Sequence, residues 1–242
     1  AAFLIASLSA SGAGAAGVTV RAVVPPVIAM HDGDPTPIEV KAGTIFADGD
    51  ELLGGSATAS VQIECPNGAT QTLSEEFHAV INGRSASSRC AIDLKSGTAV
   101  ATVLAATPNT NTDDDASIRG GLYAMTSHHT QFGLTVTPGT KANTDAFVID
   151  GEALVSAPET PAPFSVKEGQ AFHSLTAEVA HIPEQTFQRV ATAYAQLDVA
   201  QLGPAATPQI AATLQSQWLA TLKQPGNAAA RKALAETHSQ LK

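Results

Sequence analysis

The segment Thr98-Ala-Val100-Ala-Thr-Val103-Leu104 alternates between small or polar side chains and branched apolar ones. Two further segments, Ala57-Thr-Ala-Ser-Val61-Gln-Ile63 and Phe132-Gly-Leu134-Thr-Val136, alternate in the same way. Because successive side chains of a β-strand point to opposite faces of the sheet, each segment predicts a strand with one face in a core and the other toward water. This part of the chain is therefore expected to be β structure.

Pairs of turn-forming residues separate the alternating segments from Val18 to about Val166, and they recur roughly every 12 to 18 residues. The pairs are Asp32-Gly33, Asp48-Gly49, Asn67-Gly68, Asn82-Gly83, Ser96-Gly97, Gly120-Gly121, Pro138-Gly139, Asp150-Gly151 and Glu168-Gly169. Such pairs favour tight turns between antiparallel strands. No helical pattern longer than about two turns interrupts the series. We therefore expect an antiparallel all-β domain, and the pattern argues against a βαβ fold with its nucleotide-binding crevice.

The pattern changes after His181. Four apolar residues then recur with the spacing of one helix face, and they are Phe187, Val190, Tyr194 and Leu197. Pro183 stands at the start, where the first turn of a helix tolerates proline. Gly203-Pro204 ends this predicted helix.

A second helix is predicted from Thr207-Pro208 to Pro225-Gly226, with a stripe formed by Ile210, Leu214 and Trp218. A third helix is predicted over Asn227 to Lys242. Residues 173–242 are thus expected to form a helical tail of two to three helices.

Composition and charge limit the classes of partner. Of the 242 residues, 44% are hydrophobic, 5% are aromatic and 14% are charged, and the net charge is −9. The composition excludes collagen, polytopic membrane proteins, zinc-finger arrays and disulfide-dense miniproteins. A negative chain repels phosphate backbones, so nucleic acid is not an expected partner.

The charge is divided unequally along the chain. Residues 1–179 have a net charge of −11, whereas residues 180–242 have a net charge of +2. The positive tail is complementary to its own acidic β domain or to another molecule, and packing on its own domain is the first interpretation. Trp218 is accordingly interpreted first as an anchor of the tail. Trp218, Tyr194 and Phe187 are also the candidate partner-binding residues, because large aromatic side chains dominate many interfaces.

The amino-terminal residues resemble the end of a secretory signal peptide. The apolar segment from Ala1 to Leu8 is too short to span a bilayer, and Ala13-Gly14-Ala15 has the small-x-small form of a cleavage site. Residues 1–17 are therefore interpreted as a signal-peptide remnant, with a membrane anchor that continues into Val18–Val20 as the alternative. An exported protein without a stable membrane span after signal removal is expected, in the periplasm, secreted or at the cell surface.

Cys65 and Cys90 are the only cysteines, and each lies beside an alternating, strand-like segment. In an oxidising compartment this pair is expected to form a structural disulfide. Neither belongs to a C-x-x-C motif, which argues against a thioredoxin-like site or a zinc knuckle.

Residues 38–172 resemble the FecR domain, a periplasmic module of bacterial signalling proteins. The resemblance is carried by Gly43 with Ala47–Leu53, Ala57–Ile63 with Asn67-Gly68 and Leu73, Ile92–Val100, Thr126 with Thr130, Phe132 and Leu134, Ala146–Val155, and Val166–Gln170. His129 stands where the family has glycine, and His128 replaces the arginine that usually precedes that glycine. The resemblance implies a β-sandwich or short β-solenoid over residues 18–172 that binds or senses and has no catalytic role.

Histidines and acidic residues are the side chains most able to supply a metal site. His128-His129 is the most suggestive pair for a metal, but adjacent residues of a strand point to opposite faces, so they are interpreted as edge histidines and no metal ligand is assigned. Asp32-Gly-Asp34 and Asp48-Gly-Asp50 are interpreted as turns, and Asp113–Asp115 as a solvated loop. No metal site and no cofactor are expected.

Motifs for nucleophilic, zinc-dependent or nucleotide-dependent catalysis are absent from the sequence. A carboxylate site that includes Glu75-Glu76 or Glu152 is the enzymatic alternative. The preferred hypothesis is a non-catalytic, exported cell-envelope domain that binds a protein or an envelope component in signalling or assembly. A structural or adhesive fibre subunit is the rival from another class.

Overall fold

The computed structural model describes residues 17–82, 90–103, 116–127, 130–139, 143–158, 160, 162–203 and 206–240. Sixteen strands precede three helices in this part of the chain. The strands are β1 (Val18–Val24), β2 (Val27–His31), β3 (Asp34–Glu39), β4 (Ile45–Phe46), β5 (Glu51–Gly54), β6 (Ser60–Glu64), β7 (Thr70–Ile81), β8 (Cys90–Thr102), β9 (Ala116–Gly120), β10 (Tyr123–Ser127), β11 (Gln131–Thr137), β12 (Asn143–Asp150), β13 (Glu152–Ser156), β14 (Phe164–Lys167), β15 (Gln170–His173) and β16 (Glu178–His181). The helices are α1 (Glu184–Leu202), α2 (Pro208–Lys223) and α3 (Ala228–Gln240).

The strands form one folded sheet that is not closed into a barrel. Its main path runs β14-β13-β10-β9-β8-β11-β12-β15-β16, and β1 to β7 extend it from β8 through β7. All described pairs are antiparallel except β8 with β9, which is parallel. The predicted antiparallel β domain with a carboxy-terminal helical tail is confirmed.

The two longest strands, β7 and β8, share an irregularity that bends the sheet. Their register shifts between Ser74 and His78, where Glu75 has a φ of 72° and Gly97 on β8 has a φ of 90°. A side chain at Gly97 would begin only 2.7 Å from the Cα of Phe77. The pair Ser96-Gly97 therefore forms a bulge inside a strand and not the predicted turn, because this close approach of two backbones also requires glycine.

The two faces of the central strands bury different cores. Ala146 and Val148 of β12 face the main core between the folded halves of the sheet, whereas Phe147 and Ile149 face the helices. Strand β8 alternates in the same way, with Val100 toward the helices. Alternation along a strand thus supplies both the sandwich core and the platform for the tail.

The helical tail packs on its own β domain. Val190, Ala191 and Tyr194 of α1 lie in one buried cluster with Phe147 and Ile149, and α1 also contacts β1, β6 and β7. The tail therefore covers apolar sheet surface within the same chain.

The predicted starts and stops of the helices correspond to the observed ends. Pro183 precedes α1, Gly203 follows it with a φ of 59°, and the side chain of Thr207 accepts a hydrogen bond from the Ile210 N–H at the start of α2. The sequence pattern places the boundary between strands and tail at residues 172 and 173, whereas strands continue through β16 and helix begins at Glu184. The four exposed residues of β16 have no alternating apolar pattern to mark them as a strand.

Within the residues described, no helix has the length and apolar character needed to cross a bilayer. The predicted signal-peptide remnant lies outside the described residues, apart from Gly17, and its cleavage stays a prediction.

Candidate functional site

An open apolar cleft of about 530 Å³ lies at one end of the sandwich. Its lining residues are Tyr123, Ala157, Thr160, Phe164, Phe172, Ser174, Ala177 and Val179. The rings of Phe164 and Phe172 meet edge to face with centroids 4.9 Å apart, and those of Tyr123 and Phe172 are 5.5 Å apart. The floor of the cleft is thus a cluster of three aromatic side chains.

Two bent strands place these rings. The chain runs from β12 into β13 through Gly151, and from β14 into β15 through Glu168-Gly169. The segments β12–β13 and β14–β15 therefore form one long hairpin that bends at these glycines. Strands β13 and β14 pair in one arm of it, and β12 and β15 pair in the other. Phe164 lies in one arm and Phe172 in the other, so the cleft lies between the arms.

Two of the hydroxyl groups that line the cleft, those of Ser174 and Thr160, form hydrogen bonds within the chain. Ser174 Oγ accepts the Thr144 N–H at 2.8 Å and lies 3.3 Å from Asn143 Oδ1, and Thr160 Oγ1 donates to the Ala157 carbonyl at 3.0 Å. The surface offered to a ligand is therefore mainly apolar.

Apolar side chains extend from the cleft to the surface of β16 and its turn. Val179 lines the cleft and is 45% exposed, and Leu175 in the preceding turn is 63% exposed. Exposed apolar groups beside a preformed cavity are typical of interaction sites.

Strand β16 also presents backbone groups. Among the described strands it pairs only with β15. The Ile182 N–H donates to the Gly169 carbonyl at 2.9 Å, and in an antiparallel ladder the hydrogen-bonding groups of alternate residues point to opposite sides. Val179 and His181 therefore direct their N–H and C=O groups to the outer edge, next to the cleft.

The aromatic residues predicted from the tail lie elsewhere, between the helices and the sheet. Tyr194 is 5% exposed and stacks on Trp218 with ring centroids 4.6 Å apart, and Phe187 is partly buried in the same cluster. The Tyr194 hydroxyl lies 3.1 Å from Gln131 Nε2 of β11, and burial raises the pKa of Tyr194. These side chains pack the tail onto the sheet, and their predicted role toward a partner stays a prediction.

Cys65 is buried in the main core, at 2% exposure. At the start of β8, the backbone of Cys90 pairs with that of Ala116 of β9, a residue of the same core. The next residue of β9, Ser117, has its carbonyl 3.5 Å from Gln71 Nε2, and Gln71 follows Cys65 by six residues. The fold therefore brings the segment around Cys65 toward the start of β8. The side chain of Cys90 lies outside the described residues, so the pairing of Cys65 with Cys90 stays a prediction.

Four described histidines pair with carboxylates. The pairs are His31 with Asp50, His78 with Glu51, His173 with Asp145, and His238 with Asp198, at 2.9 to 3.1 Å. No group of three potential metal ligands occurs among the described residues. The pair His128-His129 and the loop Asp113–Asp115 lie outside the described residues.

The carboxylate of the turn residue Asp50 is buried and hydrogen-bonded within the chain. Its carboxylate accepts hydrogen bonds from the N–H groups of Asp32 and Ala47, at 3.0 and 2.8 Å, and it is 2% exposed. These bonds tie two turns together.

The candidate catalytic carboxylates of Glu75 and Glu152 lie on different strands. Glu75 on β7 accepts from Thr98 Oγ1 at 2.9 Å and lies 3.5 Å from Arg189 Nη1 of α1. Glu152 on β13 accepts from Ser165 Oγ. Strands β7 and β13 are not paired with each other, and a catalytic role for either acid stays a hypothesis.

No sequence pattern marks the three aromatic residues of the cleft as a site. Tyr123, Phe164 and Phe172 are separated along the chain and follow no shared motif. Leu122, next to Tyr123, is a large apolar residue in a turn and is 69% exposed, but it does not line the cleft.

No family model matches the sequence, and no curated protein matches it. Two crystal structures of a candidate anti-sigma factor from Parabacteroides distasonis match this chain with 12% sequence identity and TM-scores of 0.43 and 0.45. The matches cover 56% and 58% of this chain. The chain spans 61% and 62% of the length of those anti-sigma factor chains, which is less than two thirds.

Proposed function

We propose that this protein is an exported, non-catalytic cell-envelope domain that works by binding, as part of envelope signalling or assembly. The open apolar cleft over Tyr123, Phe164 and Phe172 carries the proposal. Tyr123 and Phe172 are only 8% and 6% exposed and Phe164 is partly buried, whereas Val179 on the cleft wall is 45% exposed. Leaving this apolar lining in contact with water forgoes its burial, at about 25 cal/mol per Å², and a binding role accounts for that feature.

Two resemblances are consistent with the signalling part of the proposal. The sequence resembles FecR modules over residues 38–172, and the matching crystal structures are of a candidate anti-sigma factor. Export is supported by the signal-like amino terminus and by the two cysteines. We assign no catalytic residue.

A neutral apolar dye, N-phenyl-1-naphthylamine, tests whether the cleft binds apolar groups. Dye fluorescence is titrated with the wild-type protein, with Val179→Asp at the cleft, and with Ile45→Asp as a matched control. Ile45 is also an exposed apolar strand residue, at 64% exposure, and lies on β4. We expect saturable binding that Val179→Asp weakens about tenfold, because the dye loses one apolar contact and meets a charged group instead. Equal binding to all three proteins, or none, contradicts the proposal.

Sedimentation velocity separates binding from the rival function of a fibre or adhesive subunit. A binding module is expected to sediment as a small species of constant size over a wide concentration range. Growth into high-order species at low concentration would instead favour the structural subunit.

A further inference from the structure

We infer that the cleft receives an extended segment of a partner protein, which adds as a strand to the outer edge of β16 and places an apolar side chain in the cleft, against Phe164 and Phe172. This inference rests on the proposed function and names the partner class of the same site.

The backbone of β16 supplies the first argument. Val179 and His181 direct their N–H and C=O groups outward, and among the described strands no other strand covers this edge. All four residues of β16 are exposed. An extended peptide can satisfy such an edge by main-chain hydrogen bonds, as in other cases of β-strand addition.

The position of the cleft supplies the second argument. Val179 belongs to the edge strand and also lines the cavity, and it lies opposite Phe172 in the β15–β16 ladder. Since side chains of paired strands at the same level share a face, a residue that pairs with Val179 points its side chain toward the same cavity. One bound strand would thus use the backbone edge and the apolar cleft together.

The chemistry of the lining favours a peptide over a small molecule. Small-molecule sites combine apolar walls with a few polar groups that orient the ligand. Here the hydroxyls of Thr160 and Ser174 are already hydrogen-bonded within the chain. The outward polar groups lie on the β16 backbone, which recognises another backbone.

Charge selects the flanks of the peptide. Residues 1–179 have a net charge of −11, and β16 itself carries Glu178. Lys167 on β14 lies opposite Glu152 in the ladder with β13, so its charge is offset locally. A segment with one large apolar residue flanked by lysine or arginine fits this surface.

A displayed library of nine-residue peptides, selected on the full-length chain, tests the inference. We expect enrichment of peptides with alternating apolar residues and basic flanks. A selected peptide is then synthesised with its alternate amide nitrogens methylated on one edge or on the other. Methylation of the peptide edge that faces β16 is expected to weaken binding at least about tenfold, whereas methylation of the opposite edge is not, because only one edge forms hydrogen bonds with β16.

Two variants of the protein complete the test. Val179→Pro removes an outward N–H without removing a hydrogen bond to β15. It is expected to weaken the binding of the selected peptide at least about tenfold. Val179→Thr keeps the backbone donor and is the matched control, with an effect of only a few-fold. Circular dichroism confirms that both variants are folded.

The outcomes separate the two proposals. Strand addition is overturned if the dye binds but no peptide is enriched. It is also overturned if peptide binding persists after methylation of either edge and in Val179→Pro. In both cases the proposal of a binding cleft is unaffected. Absence of dye binding overturns the proposed function itself. If the protein forms concentration-dependent dimers that Val179→Pro abolishes, the occupant of the edge is a second copy of this chain. That result would overturn the inference of a different partner protein.

Discussion

The indole Nε1 of Trp218 donates a hydrogen bond to Asp198 Oδ2 at 2.6 Å. The same oxygen lies 2.9 Å from Nε2 of His238. One carboxylate on α1 therefore joins side chains of α2 and α3, and Trp218 in turn stacks on Tyr194, which contacts the sheet.

Asp198→Ala is expected to destabilise the tail. The substitution leaves two partly buried donors without their acceptor, which costs about 1 to 3 kcal/mol. Urea unfolding followed by circular dichroism measures the loss, and hydrogen exchange is expected to increase first in α3. Glu236→Ala is the control, since the Glu236 pair with Lys232 is exposed and contributes about 0.5 kcal/mol or less. Equal effects of the two substitutions would show that Asp198 does not join the helices.

Tyr194 is expected to make the fold sensitive to alkali. Burial raises the pKa of Tyr194 above the ordinary value of 10.0, so the unfolded chain loses this proton at a lower pH than the folded protein does. The contribution to stability is thus complete below about pH 10 and decreases as the pH rises from there toward the folded pKa. Circular dichroism and tyrosinate absorbance between pH 8 and 12 follow the transition.

The two tyrosine variants provide the comparison for this pH effect. Tyr194→Phe is expected to remove this contribution to alkaline unfolding and to cost about 1 kcal/mol at neutral pH, because Gln131 loses a hydrogen-bond partner. Tyr123→Phe removes the other tyrosine and is expected to keep the contribution. A transition that depends on Tyr123 and not on Tyr194 would contradict the assignment.

A disulfide between Cys65 and Cys90 is expected to stabilise the exported protein by roughly 3 kcal/mol, by closing a loop of about 26 residues. Thiol titration in denaturant, with and without reductant, and peptide mapping detect the bond. The double variant Cys65→Ala/Cys90→Ala should have a stability that reductant does not change. Two readily titrated thiols in the oxidised wild-type protein would refute the pairing.

Gly133→Ala is expected to destabilise the platform under the tail by about 1 to 3 kcal/mol. An added Cβ would lie 2.4 Å from the Phe147 ring and 2.8 Å from the Ala99 carbonyl oxygen, so the ring and backbone must move apart. Thermal unfolding measures the change. Gly226→Ala is the control, because nothing lies within 4 Å of the added atom there. A neutral Gly133→Ala would mean that Phe147 can move without cost.

The local features of the fold could be predicted from the sequence. The stripe Val190, Tyr194 and Leu197 is buried as its spacing predicts, and Gly203 and Thr207 act as helix ends because a left-handed backbone and a capping hydroxyl are local properties. These features depend on a few neighbouring residues.

Long-range features could not be predicted in this way. The parallel pairing of β8 with β9 and the bulge at Gly97 depend on strands that are distant along the chain. The cleft could not be predicted from the sequence for the same reason, because Phe164 and Phe172 meet only when both arms of the bent hairpin have formed. An alternating pattern indicates which side of a strand is apolar, but not which other strand it meets.

The contact of α1 with β1 makes the order of synthesis matter. Strand β1 leaves the ribosome before α1, which emerges only after all sixteen described strands. Part of the surface of β1 therefore lacks its native cover until α1 has been translated, and a nascent chain in this interval exposes apolar groups of the kind that chaperones bind. The sheet thus reaches its final packing only when a segment more than 150 residues further along the chain has been made.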